Sequence, residues 1–178
     1  MARIETVSPV TSMEHERRRR VLLFRIATQG YALPVSALSE IVPMAQLVKT
    51  PSTPQLIAGL LQLGGRAIPV LRLARLFGLE EQSPSLYTPL LVLRRENPPL
   101  ALLVDCVSGI VNIEEAALVP LREGFCFNDC ATGLLSHNGE HMVLLDDRRL
   151  LSEQEERCAV ELAAIEQFRL AEMGAAPP

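Results

Sequence analysis

Cys126-x3-Cys130 followed by His137-x3-His141 is the most chemically loaded cluster in the chain. Two thiolates and two imidazoles suit a tetrahedral Zn²⁺ ion. The gap between the pairs is much shorter than the roughly 12 residues of a zinc finger. His137 and His141 flank a turn signal at Asn138-Gly139. On a two-residue hairpin such flanking side chains can converge on a metal, which would make the segment a zinc-stabilised regulatory module. The alternative is a loop with small apolar cysteines and two exposed turn histidines. The same residues also allow a cysteine-dependent hydrolase, with Cys126 or Cys130 beside His137 and Asp146 or Asp147 orienting the base. No Gly-x-Ser-x-Gly elbow and no phosphate-cradling glycine motif accompanies them.

The rest of the inventory is thin. Only three His occur in 178 residues, with no Trp and 4% aromatics, while 48% of the chain is hydrophobic. The net charge of −4 argues against a nucleic-acid partner, whose binding would rest on clustered Lys and Arg. No apolar run approaches the ~20 residues of a membrane span. The first twenty residues hold no apolar stretch, so no secretory signal is expected. Four cysteines in such a chain are expected as reduced thiols in a cytoplasm.

Around the cluster, the elements read as small strands. Residues 1–20, ending in Arg17-Arg18-Arg19-Arg20, read as a disordered tail. Short Leu/Val/Ile runs at 21–27, 31–35, 67–73, 89–94, 100–104, 110–113 and 142–146 read as strands. Turn signals such as Gly64-Gly65, Asn97-Pro98-Pro99 and Asn138-Gly139 separate them. Short helical turns are expected near 36–39, 54–58, 72–77 and 147–151. Ser152 and Glu155 form a capping-box pattern opening one amphipathic helix, about 152–173. Its expected apolar stripe is Cys158, Leu162, Ile165 and Phe168.

The body also repeats itself. Sliding Val21–Val42 by 69 positions aligns Leu22 with Leu91, Arg25 with Arg94, Leu33 with Leu102, Val35 with Val104 and Ile41 with Ile110. Sliding Gly59–Leu76 by 74 positions aligns Gly59 with Gly133, Gly65 with Gly139, Leu71 with Leu145 and Arg75 with Arg149. The halves, about 21–76 and 90–151, read as two similar β units joined by Phe77–Thr88. Neither is large enough to bury much of its surface alone, so they should share an apolar seam. Leu60-Leu61 and Leu134-Leu135 are expected to enter the core of their own unit.

Several segments together carry a family resemblance. They are Val21-Leu-Leu-Phe-Arg-Ile, Gly30-Tyr-Ala-Leu-Pro-Val, Leu38-Ser-Glu-Ile-Val, Gly59-Leu-Leu-Gln-Leu-Gly-Gly-Arg-Ala-Ile-Pro-Val-Leu-Arg-Leu, Leu103-Val-Asp-Cys-Val-Ser-Gly-Ile-Val and Thr132-Gly-Leu-Leu with Met142-Val-Leu-Leu-Asp. Over about 21–152 the chain resembles the chemotaxis coupling (CheW-like) family. The resemblance implies a mainly β fold: two five-stranded SH3-like barrels sharing a core, here with a C-terminal helix. It implies a non-catalytic adaptor without cofactor, linking the cytoplasmic tip of a chemoreceptor to a CheA-type histidine kinase. Such a protein would be cytoplasmic, at membrane-associated arrays, without inserting into the membrane. One barrel face would meet the kinase's regulatory domain, and a groove near the barrel junction the receptor hairpin.

The family's motif positions fall on Glu40, Gly59, Gly65, Pro69 and Asp105. Leu38, Ile41, Leu63 and Val107 are expected to contribute to a receptor groove or to the core. Glu40 is expected either to be solvated or to pair with Arg25 or Arg66. The sequence departs from the pattern in two places. The signature Asn-Leu-Arg-Gly reads Gln62-Leu63-Gly64-Gly65, with Arg66 the nearest arginine, and the usual Asp-Leu-Arg reads Arg72-Leu73-Ala74. These changes reverse local charge on a partner-facing edge. They point to a divergent array, not necessarily one serving flagellar chemotaxis.

Overall fold

The structure is a computed structural model and describes residues 18–50, 53–122, 124 and 127–174. Residues 1–17 of the expected tail 1–20, Cys126 and residues 175–178 lie outside the described residues. The first half holds β1 (Arg18–Ile26), β2 (Gln29–Pro34), β3 (Leu38–Pro43), β4 (Ile57–Leu63), β5 (Arg66–Arg72) and a one-turn helix α1 (Leu73–Leu76). The second holds β6 (Pro89–Leu93), β7 (Ala101–Leu103), β8 (Cys106–Glu114), β9 (Val119–Pro120), β10 (Ala131–His137) and β11 (Glu140–Leu145). Helix α2 (Glu153–Gly174) follows.

β1 starts at Arg18, inside the stretch that reads as a tail. Its first residues pair with β8, and Arg19 reaches Glu115 at 2.6 Å. The helical turn expected near 54–58 is instead the approach to β4, which begins at Ile57. β3 and β10 lie in segments without a continuous apolar run. Ser39 and Glu40 interrupt the first and Thr132, Gly133 and Ser136 the second, so neither stands out as a strand by composition.

The strands form a six-stranded sheet, β8-β1-β2-β11-β10-β9, and a five-stranded sheet, β3-β6-β7-β5-β4. The repeat halves are therefore not two spatial units. β1 and β2 of the first half join β8 to β11 of the second, and β6 and β7 join β3 to β5. The exchange follows the repeat. Val21 faces Val111 in one sheet, and its counterpart Leu90 faces Val42 in the other. The parallel pairs match as well, with Ala32 beside Leu144 and Ala101 beside Val70.

This arrangement explains the continuous apolar runs. Leu22, Phe24, Leu91 and Leu93 face a large core between the barrels. Val21 and Leu23 face the interior of the six-stranded barrel. Leu90 and Val92 face that of the five-stranded one. A strand buried on both faces has no polar alternation to show. Leu60, Leu61 and Leu135 are buried, whereas Leu134 is only half-buried, because it lies on the outer face of β10 with Thr132 and Ser136.

The two hairpins at the ends of the repeats turn alike. Gly64 and Gly65 have φ of +56° and +75°, and Asn138 and Gly139 have +50° and +81°. Two consecutive positive φ values are those of a type I′ turn, which matches the twist of the flanking strands. The position of the missing signature arginine is thus the first corner of a tight turn. A capping box opens α2: the Glu155 carboxylate accepts from the Ser152 N–H at 2.7 Å and from its hydroxyl at 2.8 Å.

Candidate functional site

Among the described residues of the Cys/His cluster, Cys130, His137 and His141 do not come together. In the β10–β11 ladder, Ser136 faces His141 and His137 faces Glu140. Adjacent residues of a strand point to opposite faces, so the two histidines project to opposite sides of the hairpin and do not converge. Cys130 is wholly buried in the shared core. Asp146 accepts from the Arg148 N–H at 3.0 Å, capping a short turn and orienting no imidazole. Among the described residues, no group of three or more His, Cys, Asp or Glu is placed to hold a metal.

The residues assigned to partners scatter through the fold. Leu38 and Val107 pack in the core between the barrels, and Leu63 packs against the interior of the five-stranded one. Pro69 is buried in β5 opposite Leu60. Gly59 is buried where residues 47–49 cross β4. The Asp105 carboxylate accepts from the Ala27 N–H at 2.5 Å, and the Asp105 N–H donates to the Arg25 carbonyl at 3.0 Å. Asp105 therefore ties down the β1–β2 turn, where Ala27 has φ +52°. Arg25 pairs with Glu140 at 2.6 Å, not with Glu40. Among the described residues neither Glu40 nor Arg66 has an ion-pair partner. Of the four apolar candidates, only Ile41 is substantially exposed, at 43%.

Glu40 and Ile41 lie on β3, an edge of the five-stranded sheet. Both are exposed, on opposite faces of the strand, and they flank its unpaired backbone edge. The repeat gives it a counterpart. β8 is an edge of the six-stranded sheet, and Ile110, equivalent to Ile41, is 49% exposed there. The fold thus presents two related but non-identical edges on one rigid body.

The signature hairpin β4–β5 lies under α2. Gln62 Nε2 donates to Glu166 Oε1 at 2.9 Å, Ala67 N–H to Gln167 Oε1 at 3.1 Å, and Gln167 Nε2 to the Gly65 carbonyl at 2.9 Å. Glu166 is buried and also pairs with Arg169 at 2.9 Å. Sequence periodicity missed this clamp, because the helix meets the hairpin through polar residues, the buried Glu166 and the exposed Gln167. The expected stripe is correspondingly wrong: Leu162 is buried, but Ile165 and Phe168 are exposed.

The reversed charge at Arg72 is neutralised from within. Glu81, in the connection between the halves, meets Arg72 at 3.1 Å and Arg75 at 2.8 Å. Burial pushes the Glu81 carboxyl up, but hydrogen bonds and charges from the two guanidiniums outweigh it and hold the pKa below the usual glutamate value. A carboxylate lowered on folding stabilises above its unfolded pKa, and that contribution fades as pH falls through the folded pKa. Glu81→Gln should thus cost roughly 0.5–1 kcal/mol near neutrality, with Arg75 partly exposed and screened. The gap to the parent should narrow as the pH drops below the ordinary glutamate range. Urea titrations across that range check it; a gap independent of pH would show that the ion pairs contribute nothing.

Between the barrels a cleft of about 960 Å³ is lined by Arg19, Arg94, Arg95, Asp146, Asp147 and Arg148, among others. Its charges are partly paired internally, with Arg95 reaching Glu156 at 2.5 Å.

A family model described as the CheW-like domain matches residues 20–155. The chain belongs to the CheW-like family. Its relatives include the chemotaxis protein CheW of Thermotoga maritima, 26% identical over 133 residues, covering 75% of this chain and 87% of that one. The probable chemotaxis protein CheW of Rhizobium etli is 25% identical over 143 residues, covering 79% and 92%. The structure is similar to the crystal structure of the scaffolding protein TtCheW from Thermoanaerobacter tengcongensis, with TM-score 0.66 and 22% identity. That likeness covers 72% of this chain and 88% of the other. The fold is the CheW-like pair of SH3-like barrels, mainly β, with the C-terminal helix added.

Proposed function

We propose that this CheW-like protein is a non-catalytic coupling adaptor of a chemosensory array. It would hold the cytoplasmic tip of a chemoreceptor and the regulatory domain of a CheA-type histidine kinase in fixed register. Family membership across residues 20–155 carries this reading. The fold suits it, because two edges related by the repeat offer distinct partners similar docking geometry on one body. We assign the β3 edge at Glu40 and Ile41 to the kinase domain and not to the receptor groove expected for Ile41, because an open strand edge suits docking by another β domain, whereas a helical hairpin needs a groove. No helix among the described residues is long and apolar enough to cross a membrane. Association with the array would then run through protein contacts.

The test is co-purification with the regulatory domain of the cognate kinase and with a receptor cytoplasmic fragment. Binding to both, and a ternary complex when all are mixed, is the expected result. Failure to bind either would overturn the reading.

A further inference from the structure

Helix α2 is apolar on two sides. Ala159, Leu162 and Ala163 are buried against the barrels. Yet Val160, Ile165 and Phe168 are 37%, 62% and 66% exposed, with Ala164 exposed between them. With about 3.6 residues per turn, Arg157, Glu161, Ala164 and Phe168 lie opposite the buried side, flanked by Val160 and Ile165. Single exposed apolar residues are ordinary, but these adjoin one another along the helix.

We propose that this face is the interface between two copies of the chain, their α2 helices packed antiparallel about a two-fold axis between Ala164 and Ile165. Charge selects the orientation. Arg157 stands seven residues before Ala164, and Glu172 seven after Ile165. The axis therefore places Arg157 of each copy opposite Glu172 of the other, twice over. A parallel pair would instead set Arg157, Glu161 and Glu172 each against its own kind. A two-fold interface must be self-complementary in this way. The small side chain of Ala164 at the axis permits close approach, and the stem of Glu161 lies across Phe168 of the second copy. An anionic membrane is a poorer fit, since Glu161 and Glu172 lie on this face between Phe168 and Ile165, where they would repel it. α2 lies over β4 and β5, at the other end of the five-stranded sheet from β3, so dimerisation leaves the β3 edge open. The proposal does not depend on the adaptor role.

One helix pair falls at the small end of specific interfaces, so the dimer should form at roughly micromolar concentrations. Sedimentation of the full chain across about 5–200 µM should show a monomer–dimer equilibrium. Phe168→Glu should weaken it by more than ~10-fold, with an unchanged melting temperature at dilutions where both proteins are monomeric. Arg157→Glu should also weaken it, and Arg157→Glu combined with Glu172→Arg should restore it. A monomer at every concentration would overturn the proposal. So would a dimer indifferent to Phe168→Glu, a drop in the melting temperature of the dilute monomer that makes Phe168 a core residue, or a charge swap that fails to recover association.

Discussion

Ile41→Arg is expected to weaken binding of the cognate kinase regulatory domain by at least ~10-fold while leaving the melting temperature within a degree or two of the parent. The asymmetry follows from where the side chain sits. Ile41 is 43% exposed on an edge strand and belongs to none of the three core clusters. An arginine there reaches solvent without displacing a neighbour. Any loss must then come from the partner surface, where an apolar centre is replaced by a charge. Glu40→Lys should act in the same direction, with an effect that shrinks as salt is added. Leu38, three residues earlier, gives the contrast. It is 6% exposed in the shared core, and its truncation to Ala should cost about 2–5 kcal/mol whatever the partner. Calorimetric titration and thermal melts of the same preparations separate the two kinds of loss. Full affinity in Ile41→Arg would move the kinase face elsewhere, and the same change at Ile110 would then probe the β8 edge.

Gly59→Val should show the reverse signature: a destabilisation of roughly 3 kcal/mol, and a melting temperature lower by about 6–12 °C. A Cβ on Gly59 would stand 2.8 Å from Leu47 Cβ and 2.8 Å from the Val48 carbonyl oxygen. That segment cannot simply retreat. Val48 N–H donates to the Leu60 carbonyl at 2.9 Å, and Leu60 N–H to the Val48 carbonyl at 2.8 Å. Gly59 also has φ +153° at a register shift in the β4–β5 ladder, where a branched side chain is strained. Partner binding per folded molecule should survive. If Gly59→Val melts like the parent but no longer binds, the glycine is a contact surface and the packing argument fails.

These two positions mark what a sequence can disclose about the site. Glu40 and Gly59 both stand out as motif residues, yet one lies on an open edge and the other under a crossing segment. Residue type does not distinguish those environments. The apolar runs of β1 and β6 were legible because burial on both faces leaves no polar break. Which sheet each run joins was not, because periodicity reports the faces of a strand and never its neighbours. The Gly64-Gly65 and Asn138-Gly139 turns were legible because positive φ at two successive residues restricts composition so tightly. The side of α2 that packs inward was obscured by Glu166 and Gln167. These polar residues bind the β4–β5 hairpin while Ile165 and Phe168 remain outside. The histidine pair misled because spacing along the chain says little about facing across a ladder.

The exchange of strands between the repeats bears on how the chain is made. On the ribosome, the five-stranded barrel has all its strands once Leu103 has emerged. The other barrel begins with β1, the first of the described strands, yet it lacks β10 and β11 until Leu145. Val21 and Leu23 therefore wait for Leu135, Met142 and Leu144, whereas Leu22 and Phe24 can already pack on the five-stranded barrel through Leu60, Leu71 and Leu91. Long delays between a strand and its partners are where nascent chains associate wrongly. Of the two faces of β1, the one bearing Val21 and Leu23 is the one a chaperone would have to shield longer.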